Sequence, residues 1–113
     1  MKIPLNIETH DRKLGFEIAA TNNELSSGAI VNAPGNINLH FQGLLVRRAF
    51  GIPEILQFII DTSLTIDIGL FSAWLYDKVK DRQVEKIIIR EAEITEITEE
   101  NIRKTLIREI ERQ

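Results

Sequence analysis

The distribution of charge constrains this chain more than any motif in it. Between Leu25 and Val46 there is no Asp, Glu, Lys or Arg, and between Gly51 and Tyr76 there are three: Glu54, Asp61 and Asp67. Residues 77–113 then carry 19 of the 31 charged side chains. A charge-poor middle must be buried or covered, and a charge-dense end must lie on the surface with one apolar stripe turned inward. That arrangement predicts a packed domain in which the middle supplies the core. At 113 residues, with 43% hydrophobic and 27% charged side chains, the chain reads as one domain, 1–113, able to close a core without staples.

Several function classes fall away on composition. There is no cysteine, hence no disulfide framework, thiolate metal site or thiol nucleophile. A net charge of −3 supplies no general attraction for phosphate backbones, which disfavours nucleic acid as a partner. The N-terminal residues Met1 to Asn6 alternate apolar with polar and form no continuous apolar run of the kind a secretory signal carries, so the expected location is cytoplasmic. Ile55 to Tyr76 is the most apolar stretch, but Asp61 and Asp67 interrupt it, each costing about 2.5–3.5 kcal/mol at a bilayer centre. A buried helix, not a membrane span, is the expectation there.

The periodicities divide the chain further. Ile3, Leu5 and Ile7 alternate with Lys2, Pro4, Asn6 and Glu8, the pattern of a half-buried strand, and Pro4 places that strand's start or a sheet edge there. Leu14, Phe16, Ile18 and Ala20 alternate again and predict the second arm of a hairpin. Residues 29–32 and 36–42 flank Pro34-Gly35, the centre of a type II turn, and predict a second hairpin that Gly43 ends. Leu44 to Phe50 reads as a short extended segment. Pro53 and Glu54 suit the first turn of a helix through Ile60. Asp61, Thr62 and Ser63 are cap types for a second helix, in which Leu64, Ile68, Phe71, Leu75 and Val79 form one apolar row and Ile66, Leu70 and Trp74 another. Two rows imply a helix covered on most sides, with Trp74 in the core. Ile87-Ile88-Ile89 and 92–97 predict a strand pair, and Thr98 caps a final helix with Ile102, Leu106 and Ile110 on one face. The expected architecture is a two-layer α+β domain: antiparallel N-terminal hairpins packed on a central buried helix, with a C-terminal strand pair and an amphipathic helix.

A small-residue-rich helix ending in Ala73-Trp74-Leu75, a charged exit, a strand and a terminal amphipathic helix make residues 62–113 resemble the effector-associated constant components of bacterial conflict systems. That family reads as strand–helix–strand in its N-terminal half, where this chain reads as two hairpins. The resemblance implies a non-catalytic adaptor of bacterial or phage origin.

Residues that could carry chemistry are few. His10 and His40 are the only histidines, and neither stands at a metal-ligand spacing from a third ligand, so no metal and no cofactor are expected. Glu8-Thr9-His10-Asp11 holds the elements of a general base, but the same residues fit an exposed turn. Asp61 and Asp67 lie six apart, about 600° of helical rotation, and so do not share a helix face. In a helical reading Asp61 is the cap, and Asp67 reaches solvent or pairs with Arg47 or Arg48. No nucleophile elbow or phosphate-binding glycine loop occurs. No catalytic residue is assigned, and an enzyme is the less favoured class.

Two features remain. Asn36, Asn38, His40 and Gln42 alternate with Ile37, Leu39 and Phe41, giving a strand whose polar face carries no charge. Exposed strands are usually protected by charge, and a neutral amide face costs less to desolvate against a partner. Coverage by the chain's own residues 22–28 is the alternative use of that face. Arg47-Arg48, the only adjacent arginine pair, suits a phosphate or an acidic segment. The leading reading is a non-enzymatic protein–protein interaction module, an adaptor, inhibitor or immunity-type protein. It would bind another chain or a second copy of itself through Asn36, Asn38, His40 and Gln42. The competing reading is a small-ligand or nucleotide-phosphate binder that uses Arg47, Arg48 and the Asn-rich face.

Overall fold

A computed structural model describes residues 1–20, 25–46, 51–63 and 65–112. The domain is α+β, with a six-stranded antiparallel sheet and three helices. In chain order the elements are β1 (Lys2–Thr9), α1 (Leu14–Ala19), β2 (Ile30–Ala33), β3 (Ile37–Leu45), β4 (Glu54–Thr62), α2 (Ile68–Val79), β5 (Val84–Ile89), β6 (Ala92–Ile94) and α3 (Glu99–Glu111). The strands lie side by side as β2-β3-β4-β1-β5-β6.

Register fixes the core. Ile3, Leu5 and Ile7 of β1 stand opposite Ile60, Phe58 and Leu56 of β4, and Leu5 and Ile7 stand opposite Ile89 and Ile87 of β5. Leu39 and Phe41 continue the rows into β3. All of these side chains are buried. Because side chains alternate along a strand, one face of the sheet is apolar across its centre, and the buried residues of α1 (Leu14, Ile18), α2 (Phe71, Leu75, Val79) and α3 (Ile102, Leu106) close over it. Phe41 and Phe58 meet edge to face across the β3–β4 pair, with centroids 5.4 Å apart.

Several expectations are corrected. The arm expected at Leu14–Ala20 is helix α1: Leu14 and Ile18 are one turn apart as well as in alternation, so periodicity fits both forms. Asp11 starts the turn, its Oδ1 accepting from Lys13 N–H at 2.9 Å, and Leu14 and Gly15 settle against the core. There is thus one N-terminal hairpin, β2–β3, not two. The helix expected after Pro53 is strand β4, which with β1 forms the centre of the sheet. A continuous apolar run does not discriminate helix from strand by period, and four β-branched residues (Ile55, Ile59, Ile60, Thr62) favour the strand. Gly43 does not end β3; the strand continues to Leu45 through a bulge between Phe41 and Gly43.

Pro4 lies in a central strand and not at an edge. Its carbonyl accepts from Arg90 N–H at 2.8 Å, so the edge of Pro4 that lacks a donor faces the point where β5 has already turned. Arg90 turns there with φ 60. The missing N–H therefore removes nothing from the ladder.

Asp67, not Asp61, caps α2; its Oδ1 accepts from Leu70 N–H at 2.9 Å. The helix is not sheathed on most sides, since Leu70 is 53% exposed and Trp74 only half-buried. α2 packs one face between the sheet and α3, so its second apolar row lies at the rim. Helix α3 forms as expected, with Thr98 Oγ1 accepting from Asn101 N–H at 3.0 Å, and the strand pair β5–β6 forms with its second strand ending at Ile94, short of the expected 97. Among the described residues, no helix is long and apolar enough to cross a membrane.

Candidate interaction surface

Since every helix packs on one face of the sheet, the opposite face is set by the remaining strand residues: Lys2, Pro4, Asn6 and Glu8 on β1, Ile55, Gln57, Ile59 and Asp61 on β4, Asn38 and His40 on β3, and Lys86 and Ile88 on β5. Cross-strand pairing arranges them in rows. Asn32, Asn38, Asp61 and Lys2 form the first, and Ile30, His40, Ile59 and Pro4 the second. Gln57, Asn6, Ile88 and Glu93 form the third, and Leu45, Ile55, Glu8 and Lys86 the fourth.

The centre of this open face is apolar or neutral, and charge is confined to its margins. Ile30 and Leu45 are 57% and 47% exposed. Ile55, Ile59 and Ile88 keep part of their surface open, while Pro4, Asn38 and Gln42 are exposed. Along one margin Asp61 lies beside Lys2; along another Lys86 Nζ stands 3.4 Å from Glu93 Oε1. A neutral centre within a charged rim is the composition of protein–protein interfaces, where charged residues are depleted at the core.

Asn38, His40 and Gln42 are brought together on the open face, with Gln42 as the extra residue of the β3 bulge. Gly28 and Ala29 lie alongside β3, extending the line of β2, with Gly28 N–H donating to Phe41 O at 2.7 Å and Phe41 N–H to Ala29 O at 2.8 Å, and Asn38 and Gln42 stay exposed. Asn36 stands apart in the β2–β3 turn with φ 59, its Nδ2 donating to Thr65 O at 3.0 Å. Arg47 and Arg48 lie outside the described residues, as does Leu64. Sequence reasoning missed Lys2, Pro4, Asn6, Gln57, Ile59 and Ile88 as members of the same face. The polar alternation of β1 was a signal for the first three, whereas the helical reading of β4 hid the next two.

The chemistry gathered at the open face is limited. His40 Nε2 stands 3.4 Å from Asp61 Oδ2, with both side chains about a third exposed (28% and 33%). A carboxylate can orient a histidine for acid–base work, but the register neighbours of His40 are Ile30 and Ile59, and those of Asp61 are Asn38 and Lys2, none of them a hydroxyl or thiol nucleophile. His10 is elsewhere, paired with Glu85 at 2.6 Å. Among the described residues, no three His, Asp or Glu side chains gather in metal-binding geometry. Grooves lie at Gly35 to Leu70, Tyr76 to Ile97 and Met1 to Ile110, and none of the three includes Asn38, His40 or Gln42.

Two polar clusters elsewhere hold the fold. Arg82 donates to Asp11 Oδ2 at 2.6 Å and also to Glu17, tying α1 to the turn before β5. The Arg82 hydrogen bond, helped by Lys13 N–H, holds the Asp11 carboxyl below its ordinary pKa. On α3 the fully buried Glu109 takes Arg112 Nη1 at 3.3 Å, while Arg90 Nη1 lies 3.3 Å from its backbone oxygen and 3.7 Å from Oε1. Comparison of this chain with protein-family models, with curated proteins and with solved structures finds no match.

Proposed function

We propose that this protein is a non-enzymatic interaction module of the adaptor, inhibitor or immunity type, acting in the cytoplasm, which binds another protein chain through the open face of its sheet. One observation carries the reading: a sheet of six strands has all its helices on one side and a charge-free, partly apolar centre on the other. Burying Ile59, Ile88 and Ile30 against a partner gains about 25 cal/mol per Å² of apolar surface. Asn38, His40, Gln57 and Asn6 supply donors and acceptors that fix orientation, at a smaller desolvation cost than charges would impose. The residues at the face are suited to holding a chain more than to breaking a bond.

The test is site-specific photocrosslinking in the native host. A benzophenone side chain replaces Ile59 or Asn38 on the open face, and Arg103 on the outer surface of α3 serves as control. Discrete protein adducts are expected at 59 and 38 and not at 103, and Asn38→Lys should reduce the adduct at 59 while leaving the far-UV spectrum unchanged. Equal yields at all three positions, or none at 59 and 38, refute the proposal.

A further inference from the structure

The open face carries a pattern that selects one kind of partner. Its two central strands, β4 and β1, are adjacent in an order with two strands beyond each, β3 and β2 on one side and β5 and β6 on the other. Along that central seam the face residues pair as Asp61 with Lys2, Ile59 with Pro4, Gln57 with Asn6 and Ile55 with Glu8. We infer that the partner is a second copy of this chain, its sheet stacked face to face on the first about a two-fold axis that runs along the seam between β4 and β1. This rests on the open-face reading above and names its occupant.

The operation can be followed residue by residue. A two-fold along the strands exchanges β4 with β1 and keeps each row at its own height. Lys2 then lies over Asp61 of the other copy, and Asp61 over the other Lys2, so opposite charges meet twice. Pro4 meets Ile59 and Asn6 meets Gln57, each also twice, which puts apolar groups on apolar groups and amides on amides; in the fourth row, at the margin, Glu8 falls over Ile55. A two-fold contact must be self-complementary, and a seam with a cation on one strand and an anion at the same height on the next meets that requirement. A partner of single charge sign gains less, because the margins carry both signs: Lys2 and Lys86 against Asp61, Glu8 and Glu93. Aligned sheets cross at about 30°, which moves the end rows sideways by about 5 Å, a distance that a lysine side chain spans.

The area also fits. Four strands spaced about 4.8 Å apart, over eight residues each rising about 3.4 Å, offer roughly 520 Å² of face per copy. The pair then buries about 1,000 Å², the size of a weak or transient complex, so a reversible dimer with Kd in the micromolar range or weaker is expected.

The experiment uses the full chain in sedimentation equilibrium and in a dilution series followed by amide NMR. Wild type should dimerise reversibly, with concentration-dependent shifts at Asn6, Gln57 and Ile59 and none at Arg103. Lys2→Asp alone sets two like charges against each other in its homodimer, as does Asp61→Lys, and each should raise Kd at least about tenfold. Mixed together, the two variants should form a heterodimer near wild-type affinity, and the double variant Lys2→Asp/Asp61→Lys should recover self-association. A variant that failed to fold could not be rescued by mixing, and the NMR series needs no variant at all. A wild-type chain that stays monomeric at about 500 μM, or shifts confined to other surfaces, overturns the inference. So does a dimer indifferent to both reversals. If the wild type is monomeric while the benzophenone at 59 still captures a different protein, the second copy is refuted and the open-face reading stands; if neither occurs, both fall.

Discussion

Gly35→Ala tests how the turn that aligns β3 is locked to helix α2. Gly35 has φ 88, and a Cβ built there would stand 2.3 Å from the carbonyl oxygen of Asp67 and 3.2 Å from its carbonyl carbon. The same two residues are joined by a hydrogen bond, Asp67 N–H donating to Gly35 O at 3.0 Å. Asp67 is also the cap of α2, so the added methyl pushes a helix start away from a hairpin turn. Three effects contribute: a left-handed backbone on an L side chain, about 1–2 kcal/mol; overpacking against backbone that cannot rotate aside, about 1–3 kcal/mol; and loss of the hydrogen bond, about 1 kcal/mol. Relaxation of one relieves another, so the expected net loss is about 3–4 kcal/mol. With roughly 2.1 cal/mol/K of unfolding entropy per residue, that lowers Tm by about 12–17 °C. Gly28→Ala is the internal control, since Gly28 has nearly the same φ, 90, with nothing within 4 Å of its built Cβ. It should lose only the backbone contribution, about 1–2 kcal/mol. Urea and thermal melts of both variants by far-UV circular dichroism give the comparison. Equal losses at the two positions would show that the close approach to Asp67 contributes nothing.

Phe71→Ala should destabilise by about 3–5 kcal/mol, as expected for a buried aromatic, whereas half-buried Trp74, tilted against Phe71 with Lys78 Nζ 5.9 Å from its ring, should cost about 1–3 kcal/mol on truncation. Chemical denaturation of both variants checks the order, and a larger loss at Trp74 would contradict the placement of α2. The Asp11 carboxyl has its pKa lowered in the folded state by Arg82, so its contribution is present above the ordinary aspartate value of about 3.9 and is lost as pH falls through the folded value. Asp11→Asn should therefore be less stable than wild type near neutrality, with the gap closing at acid pH; a gap independent of pH would count against the Arg82 contact.

What the chain declared in one dimension was what local rules control. Thr98 and the Ile102–Leu106 spacing specify α3, because a cap and a 3.6-residue stripe act within the helix itself. Pro34-Gly35 specifies the β2–β3 turn, and the alternation in β1 specifies its inward face, for the same reason. The neutral centre of the open face was legible in part as Asn38, His40 and Gln42. Local rules failed where two periods fit one segment: Leu14 to Ala20 satisfies alternation and helical spacing alike, and Glu54 to Thr62 is apolar on both faces. Those segments were decided by neighbours far along the chain: β4 by β1 and β3 on either side of it, and α1 by the core it closes. Tertiary structure alone also set which strands are adjacent, and hence that Lys2 stands beside Asp61 and Asn6 beside Gln57. Sequence fixes which side chains share one face of a strand, since alternation is a property of a single backbone. Which strands share a sheet depends on how separate apolar faces are buried together, and only the folded chain specifies that.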